Sequence, residues 1–345
     1  MSALTSVPPP PVVGELEAIF DALPDSELLA RLRGPKRRGR PGYAPKILWR
    51  CYLTRYVLGI ESVSALLRLL RDNPYIARVC GIDSPDKMPS QPTLSRFGTR
   101  LAKRNIRSAF RNVQRLLTRR MFETLPDFGK SVAIDATDLK GWSNPVKRGR
   151  FNWPAKRGYR ARPRKVSDPD AGWSVKKNSR GNKAYTWGFK AHIICDTLHE
   201  LPLAVVVSPG NVHDVRKAAP LLQQARRTYG KFYPEYVICD AGYSSDPLRR
   251  AIKKQYRATP IIDPNPAHKK AFGRPQEPEW KEVYNRRGAV ERLNGRLKGF
   301  FSLDHIRVRG SMKVGAHALL SIIALQARAL AFPNRLRQCV RPTIA

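Results

Sequence analysis

The chain has 345 residues, 42% of them hydrophobic, a length and balance that suit two or three globular domains with at least one sizeable core. Lys plus Arg number 64 against 27 Asp plus Glu, a formal net charge of +37. Such an excess repels itself in a compact state and argues for a polyanionic partner, nucleic acid ahead of anionic lipid, while excluding an acidic or charge-neutral binding module.

Residues 1–13 hold a run of prolines and read as a flexible or polyproline lead-in. One or two short helices are expected over 14–33. The stretch GPKRRGRPGYAP, 34–45, reads as a basic arm or loop. Helical periodicity covers 46–58 and 61–72, the second with Val63, Leu66, Leu67 and Leu70 on one stripe and Glu61 in its first turn. A loop rich in Pro, Gly and Asp follows at about 73–89. Ser90 or Thr93 can cap a helix through Leu94, Phe97 and Leu101, and a longer basic helix is expected at about 105–120. These short helices fit a helix-turn-helix-like DNA-binding unit, although any small helical domain has the same texture.

The pattern changes at Lys130. Residues 131–136 (SVAIDA) form a short apolar strand ending in an acid. A long basic, Trp-containing segment runs from 142 to about 182. Strands are expected at 185–196 and 201–208, then a break at 209–211 and a helix from about 213 to 229. Residues 236–240 (YVICD) are another strand ending in an acid. A helix near 245–255, a strand near 257–262, a Pro-rich basic loop, and helices near 282–300 and 312–332 complete the order. The order predicts an α/β protein, a ribonuclease-H-like mixed sheet flanked by helices, with an N-terminal all-helical domain. The expected division is a lead-in with short helices at 1–33 and a helical DNA-binding domain at 34–125. A catalytic domain follows at 126–335, with a basic insertion at about 142–183, and then a tail at 336–345.

Asp135 and Asp240 each close a strand, and in open α/β sheets functional groups gather at the carboxyl ends of strands. An acid there is more often a turn or capping residue, and Asp138, Asp196 and Asp214 are rivals. A third element raises the pair. Tyr284, Arg287, Glu291 and Lys298 are spaced by three, four and seven residues. On one α-helix they fall within a stripe about 60° wide, with Val290, Leu293 and Leu297 roughly opposite. Three carboxylates from separate elements can hold two divalent cations, since Mg²⁺ prefers oxygen ligands and keeps several waters. Arg287 can hold a phosphate through two parallel hydrogen bonds.

The spacing Y-x2-R-x3-E-x6-K resembles the signature of DDE transposases of bacterial insertion sequences in the IS-four and IS-five groups. Asp135 in AIDATD and Asp240 in ICDAGYSS look like the family's first and second acids. DPDAGW at 168–173, GFKAH at 188–192 and GNVHD at 210–214 also resemble segments of it, as does the helical stretch 39–101. The resemblance implies a ribonuclease-H-like domain that uses Mg²⁺ or Mn²⁺, two ions, to cut double-stranded DNA at transposon ends and join the 3′-OH to target DNA. By it, Asp135, Asp240 and Glu291 are catalytic metal ligands, Tyr284, Arg287 and Lys298 contact DNA, and the protein acts as a homodimer on DNA. Only roughly fifty residues separate Asp240 from Glu291, too few for the large β-rich insertion of some relatives.

Arg292, Lys190, Trp153, Arg157, Lys176 and Lys177 are further DNA-binding candidates, because cations for phosphates interleaved with rings for unstacked bases suit a DNA-end channel. A solvated loop is the alternative for that segment, whereas His192 and His213 read first as structural rather than metal-near. The five cysteines (Cys51, Cys80, Cys195, Cys239, Cys339) are odd in number and lack CxxC spacing, which argues against a disulfide framework or zinc site. The N-terminus has no secretory pattern, and the most apolar stretch, about 316–332, is interrupted by His317, Gln326 and Arg328. A soluble, cytoplasmic protein without a membrane segment is therefore expected, and the resemblance implies a bacterial enzyme. The rivals are a non-catalytic or repurposed DNA-binding protein and a nuclease without strand transfer.

Overall fold

The computed structural model describes residues 10–34, 42–145, 167–177, 181–264 and 277–335. Among these the chain opens with helices α1 (Pro11–Asp21), α2 (Ser26–Arg33), α3 (Pro45–Val57), α4 (Val63–Asp72), α5 (Pro74–Val79), α6 (Gln91–Leu101) and α7 (Arg104–Thr124). Proline opens α1, α3 and α5, where a helix start leaves its N–H groups unpaired in any case. The side chains of Ser62, Asn73 and Ser90 accept from backbone N–H groups and cap α4, α5 and α6. Two expectations are corrected here. The proline lead-in turns helical at Pro11, because Val12, Val13, Leu16, Ile19 and Phe20 bury together. The loop expected at 73–89 contains α5, held by the Asn73 cap and by burial of Ile76, Ala77 and Val79. Most of the basic arm, 35–41, lies outside the described residues, as does the tail from 336.

A six-stranded sheet follows: β1 (Ser131–Lys140), β2 (Gly172–Lys177), β3 (Lys183–Asp196), β4 (Pro202–Pro209), β5 (Tyr236–Cys239) and β6 (Thr259–Ile262). The long β3 pairs antiparallel with β1 on one side. On its other side it pairs with β2 along its first half and with β4 along its second. Beyond β1, β5 and β6 run parallel to it, reached through helices α8 (Val215–Thr228) and α9 (Asp246–Tyr256). This is the ribonuclease-H-like mixed sheet flanked by helices. Val132, Ala133 and Ile134 of β1 and Ile193, Ile194 and Cys195 of β3 are all fully buried, so both faces of the central strands are covered.

The sheet also departs from expectation. β1 runs five residues past Asp135, because its polar second half still finds a full ladder on β3. β2 stands inside the segment expected to be a basic insertion, and Gly188 of β3 is where the three strands meet. Its φ is 151°, and a Cβ there would collide with the Leu139 carbonyl oxygen, so only glycine serves. The helix expected at 282–300 is two, α10 (Pro278–Asn285) and α11 (Gly288–Phe300), separated by a turn at Arg286 and Arg287.

Helix α12 (Ser311–Ala331) ties the halves together. It is long and apolar enough to cross a membrane, but 83% of its apolar window is buried inside the fold. It packs against α3 and α7 and also against β4, so the helical layer and the sheet share one hydrophobic core. Polar bonds fix the junction. Gln326 Nε2 donates to Thr118 Oγ1 (2.8 Å) and to the Pro202 carbonyl (2.7 Å). His317 Nε2 donates to the Leu303 carbonyl (3.0 Å), which leaves Nδ1 to accept from Tyr56 Oη (2.8 Å). At the start of α12, Asp168 and Asp170 of the DPDAGW segment accept from the N–H groups of Gly310 (3.1 Å) and Ser311 (2.8 Å).

Candidate active site

Asp135 and Asp240 are neighbours for a reason of register. β1 and β5 run parallel with Ile134 opposite Cys239, so one further step sets Asp135 beside Asp240 at the carboxyl end of β5. The chain turns sharply after Asp240, whose Oδ1 accepts from the Gly242 N–H at 2.9 Å. Burial pushes the Asp135 carboxyl up from 3.8 to about 6, and the charge of Asp240 pushes the same way against the Ala136 N–H, Arg287 and Lys176. Asp240 is also raised, chiefly by burial.

Helix α11 packs across β1 and β3 through Ala289, Val290, Leu293 and Leu297, all fully buried. Its middle is anchored to the turn between β3 and β4, where Arg292 and Arg296 meet Glu200 at 2.7 and 2.8 Å. Arg287, at the start of this helix, lies in electrostatic range of both aspartates, and Glu291 lies beside Arg287. Arg287 Nη2 donates to Glu291 Oε1 at 2.6 Å. Burial would lower the Arg287 guanidinium, but Glu291, Tyr284, Asp135 and Asp240 outweigh it and raise it. The guanidinium therefore stands in the field of all three acids. Tyr284, on α10, is stacked on Trp280 (4.9 Å, 11°), with Arg287 5.9 Å from its ring centre.

The remaining candidates divide. Lys176 pairs with Asp138 at 2.9 Å and remains in electrostatic range of Asp135 and Asp240. Lys298 donates to the Asp138 carbonyl at 2.9 Å and pairs with Asp304 at 3.2 Å. Lys190 is 12% exposed and bonded to Asp214 at 2.8 Å, so its charge is spent inside the fold rather than on an open surface. Arg292 is 61% exposed but turned to Glu200. Lys177 ends β2. Trp153 and Arg157 lie outside the described residues.

Of the rival acids, Asp196 is fully buried and accepts from the N–H groups of Gly129, Leu198 and His199, a structural turn. His192 is fully buried, its Nε2 2.8 Å from Ser208 Oγ, and burial lowers its pKa to about 4. One residue escaped the sequence reading. Tyr243, three after Asp240, has a buried hydroxyl without a hydrogen-bond partner among the described residues, and burial followed by the charge of Asp135 raises it. Its signal was its place in the DAGY turn.

Among the described residues no three Asp, Glu, His or Cys side chains converge closely enough to hold a metal ion. The donor set nevertheless suits a hard cation at two of its points. Two half-buried carboxylates repel one another, and the orphaned Tyr243 hydroxyl lies in their field. Glu291, 55% exposed on the first turn of its helix, is the third point and is turned to Arg287.

A solved piggyBac transposase synaptic complex with hairpin DNA is 12% identical over 98% of this chain and 80% of that one, with a TM-score of 0.43. A Mos1 transposase paired-end complex with the left transposon end is 14% identical over 90% and 84%, with a TM-score of 0.22. Both likenesses are too distant to carry chemistry across. No curated protein sequence matches the chain. The family model "Transposase domain (DUF772)" matches residues 5–100, and the model "Transposase DDE domain" matches residues 127–326, more than half of the chain. The protein therefore belongs to the DDE-domain transposases.

Proposed function

We propose that the protein cuts DNA at the ends of a bacterial insertion sequence and joins the freed 3′-OH ends to target DNA, using Asp135, Asp240 and Glu291 as its catalytic acids. The observation that supports this is the register of β1 on β5, which sets Asp135 and Asp240 side by side within reach of the Arg287 charge, with Glu291 paired to Arg287. Asp135 and Asp240 would hold divalent cations, Mg²⁺ or Mn²⁺, with Glu291 joining once it leaves Arg287. Bound there, such ions supply Lewis-acid polarisation of the scissile phosphate and a more acidic attacking water. Arg287, released from Glu291, can grip that phosphate through two parallel hydrogen bonds, with the Tyr284 ring behind it. Lys176 and Lys298 add positive charge on the Asp138 side of the site. Working on two ends at once, the protein acts as a dimer on DNA.

The test is a supercoiled plasmid carrying the element's ends, incubated with the purified full chain. Mg²⁺-dependent nicking and joined products are expected, with the nicking rate falling about a hundredfold or more in Asp135→Asn and in Asp240→Asn. Nicking that survives both substitutions ends the reading. One observation favours a second reading, a DNA-binding protein without catalysis: Glu291 is engaged by Arg287, and no three acids converge among the described residues. Plasmid binding with no cleavage in either metal would establish it.

A further inference from the structure

A cleft of about 630 Å³ opens between the helical layer and the first turns of α12, with Trp142 on its wall. Arg55, Arg307, Arg309 and Lys313 line it, and no acidic side chain does so among the described residues. Arg55 is 4% exposed, and its guanidinium donates to the carbonyls of Ile60, Glu61 and His305, so its charge is held in place without a carboxylate to cancel it. Arg307 and Arg309 are exposed, and none of these four cations is ion-paired among the described residues. Helices α4 and α6 begin at the rim, adding the positive ends of their backbone dipoles, whereas the start of α12 is already met by Asp168 and Asp170. Trp142 is 47% exposed, one of the few large apolar side chains left open to water. The Arg307 guanidinium lies 4.8 Å from its ring centre, and Arg309 Nε donates to its carbonyl at 3.3 Å, so the indole is held in position.

A held, exposed indole backed by a guanidinium, in a cleft of uncancelled cations, has the chemistry of a stacking platform for a nucleobase. Its placement matches the site already described. Trp142 comes seven residues after Asp135, at a bend two residues past the end of β1, so it lies at most about 23 Å away at the rise of an extended strand. That distance is covered by at most about seven nucleotides at the duplex rise of roughly 3.4 Å each, and by fewer once the strand is unpaired and extended. We propose that this cleft is a second DNA site, in which an unpaired base stacks on Trp142 while its flanking phosphates lie against Arg307, Arg309 and Lys313. That the polyanion is DNA rests on the transposase reading; the platform itself rests on the cleft.

The test is fluorescence anisotropy with the full chain in EDTA, so that nothing is cut. It compares a labelled 20-base-pair duplex with the same duplex carrying a ten-nucleotide single-stranded tail. Trp142→Ala is expected to weaken the tailed probe about tenfold and the blunt probe less than about twofold, while Trp142→Phe keeps most of the difference. Arg307→Gln combined with Arg309→Gln is expected to flatten the salt dependence of tail binding by about 1.4 in the log–log slope. Equal affinity of wild type and Trp142→Ala for the tailed probe overturns the proposal. So does an equal loss on both probes, or displacement of the tail by polyglutamate as readily as by single-stranded DNA. Thermal melts of each variant separate a lost contact from a lost fold. Because no metal or cleavage enters, a negative result here leaves the nicking test intact, and a failed nicking test leaves this one readable.

Discussion

Asp135 carries a cost that its neighbours do not remove. Its carboxyl is raised from 3.8 to about 6, so the folded chain binds this proton more tightly than the unfolded chain does. The stability this contributes is complete below about pH 4 and is lost as the pH rises through 6. At pH 7.5 the bare charge therefore costs the metal-free fold about 3 kcal/mol. Asp135→Asn is expected to melt several degrees above wild type at pH 7.5 in chelator, and to show no such gain at pH 4. A variant no more stable at pH 7.5 than at pH 4, relative to wild type, contradicts this account. His317 acts in the opposite sense. Burial, aided by Arg55, lowers it from 6.5 to about 3, so its neutral form supports the fold above pH 6.5 and that support is lost as the pH falls toward 3. In that window wild type should lose about 1.4 kcal/mol more per pH unit than His317→Gln, read from urea unfolding. Parallel pH profiles would show that His317 does not titrate on unfolding.

The position of α11 decides where Arg287 and Glu291 stand, and Glu200 decides the position of α11. The two arginines on Glu200 differ in burial, Arg296 being 12% exposed and Arg292 61%. Arg296 also donates to the Glu200 carbonyl at 2.8 Å. Arg296→Ala is expected to destabilise the protein by about 3 kcal/mol, since it strips a mostly buried carboxylate of its main partner. Arg292→Ala should cost less than about 1 kcal/mol. Chemical denaturation measures both, and equal losses would mean that the anchor has been misassigned. The nicking rate should follow Arg296 rather than Arg292, because only the former shifts the helix that carries Glu291.

Across the whole molecule, α12 prevents the helical layer and the sheet from behaving as separate bodies. It is buried against α3 and α7 on one side and β4 on the other, and Tyr56, Thr118, His317 and Gln326 bond across the junction. Calorimetry of the full chain is expected to show one cooperative transition. Two resolved transitions, the first leaving the sheet intact, would show that the shared core does not couple them. The coupling also bears on the proposed platform, whose cleft has one wall on the helical layer and the other on α12, and which needs both walls held together.

Much of this was legible along the chain. Alternating or continuous apolar runs located β1, β3, β4, β5 and β6, and the leucine stripes located α4, α6 and α11, because those patterns report burial within a single element. The acids at two strand ends singled out Asp135 and Asp240, which the register of β1 on β5 sets side by side, and the spacing of Tyr284, Arg287, Glu291 and Lys298 singled out Arg287, whose charge reaches both. What the chain could not declare is whatever depends on a partner distant in sequence. The second half of β1 and all of β2 are too polar to read as strands and exist because β3 offers them ladders. The turn between α10 and α11, the turning of Glu291 toward Arg287, and the commitment of Lys190 to Asp214 were likewise settled by packing and by the charges that packing brought close. Local sequence determined which residues are candidates for the chemistry; only the tertiary structure decided which of their charges are already taken, because an ion pair is a property of two places at once.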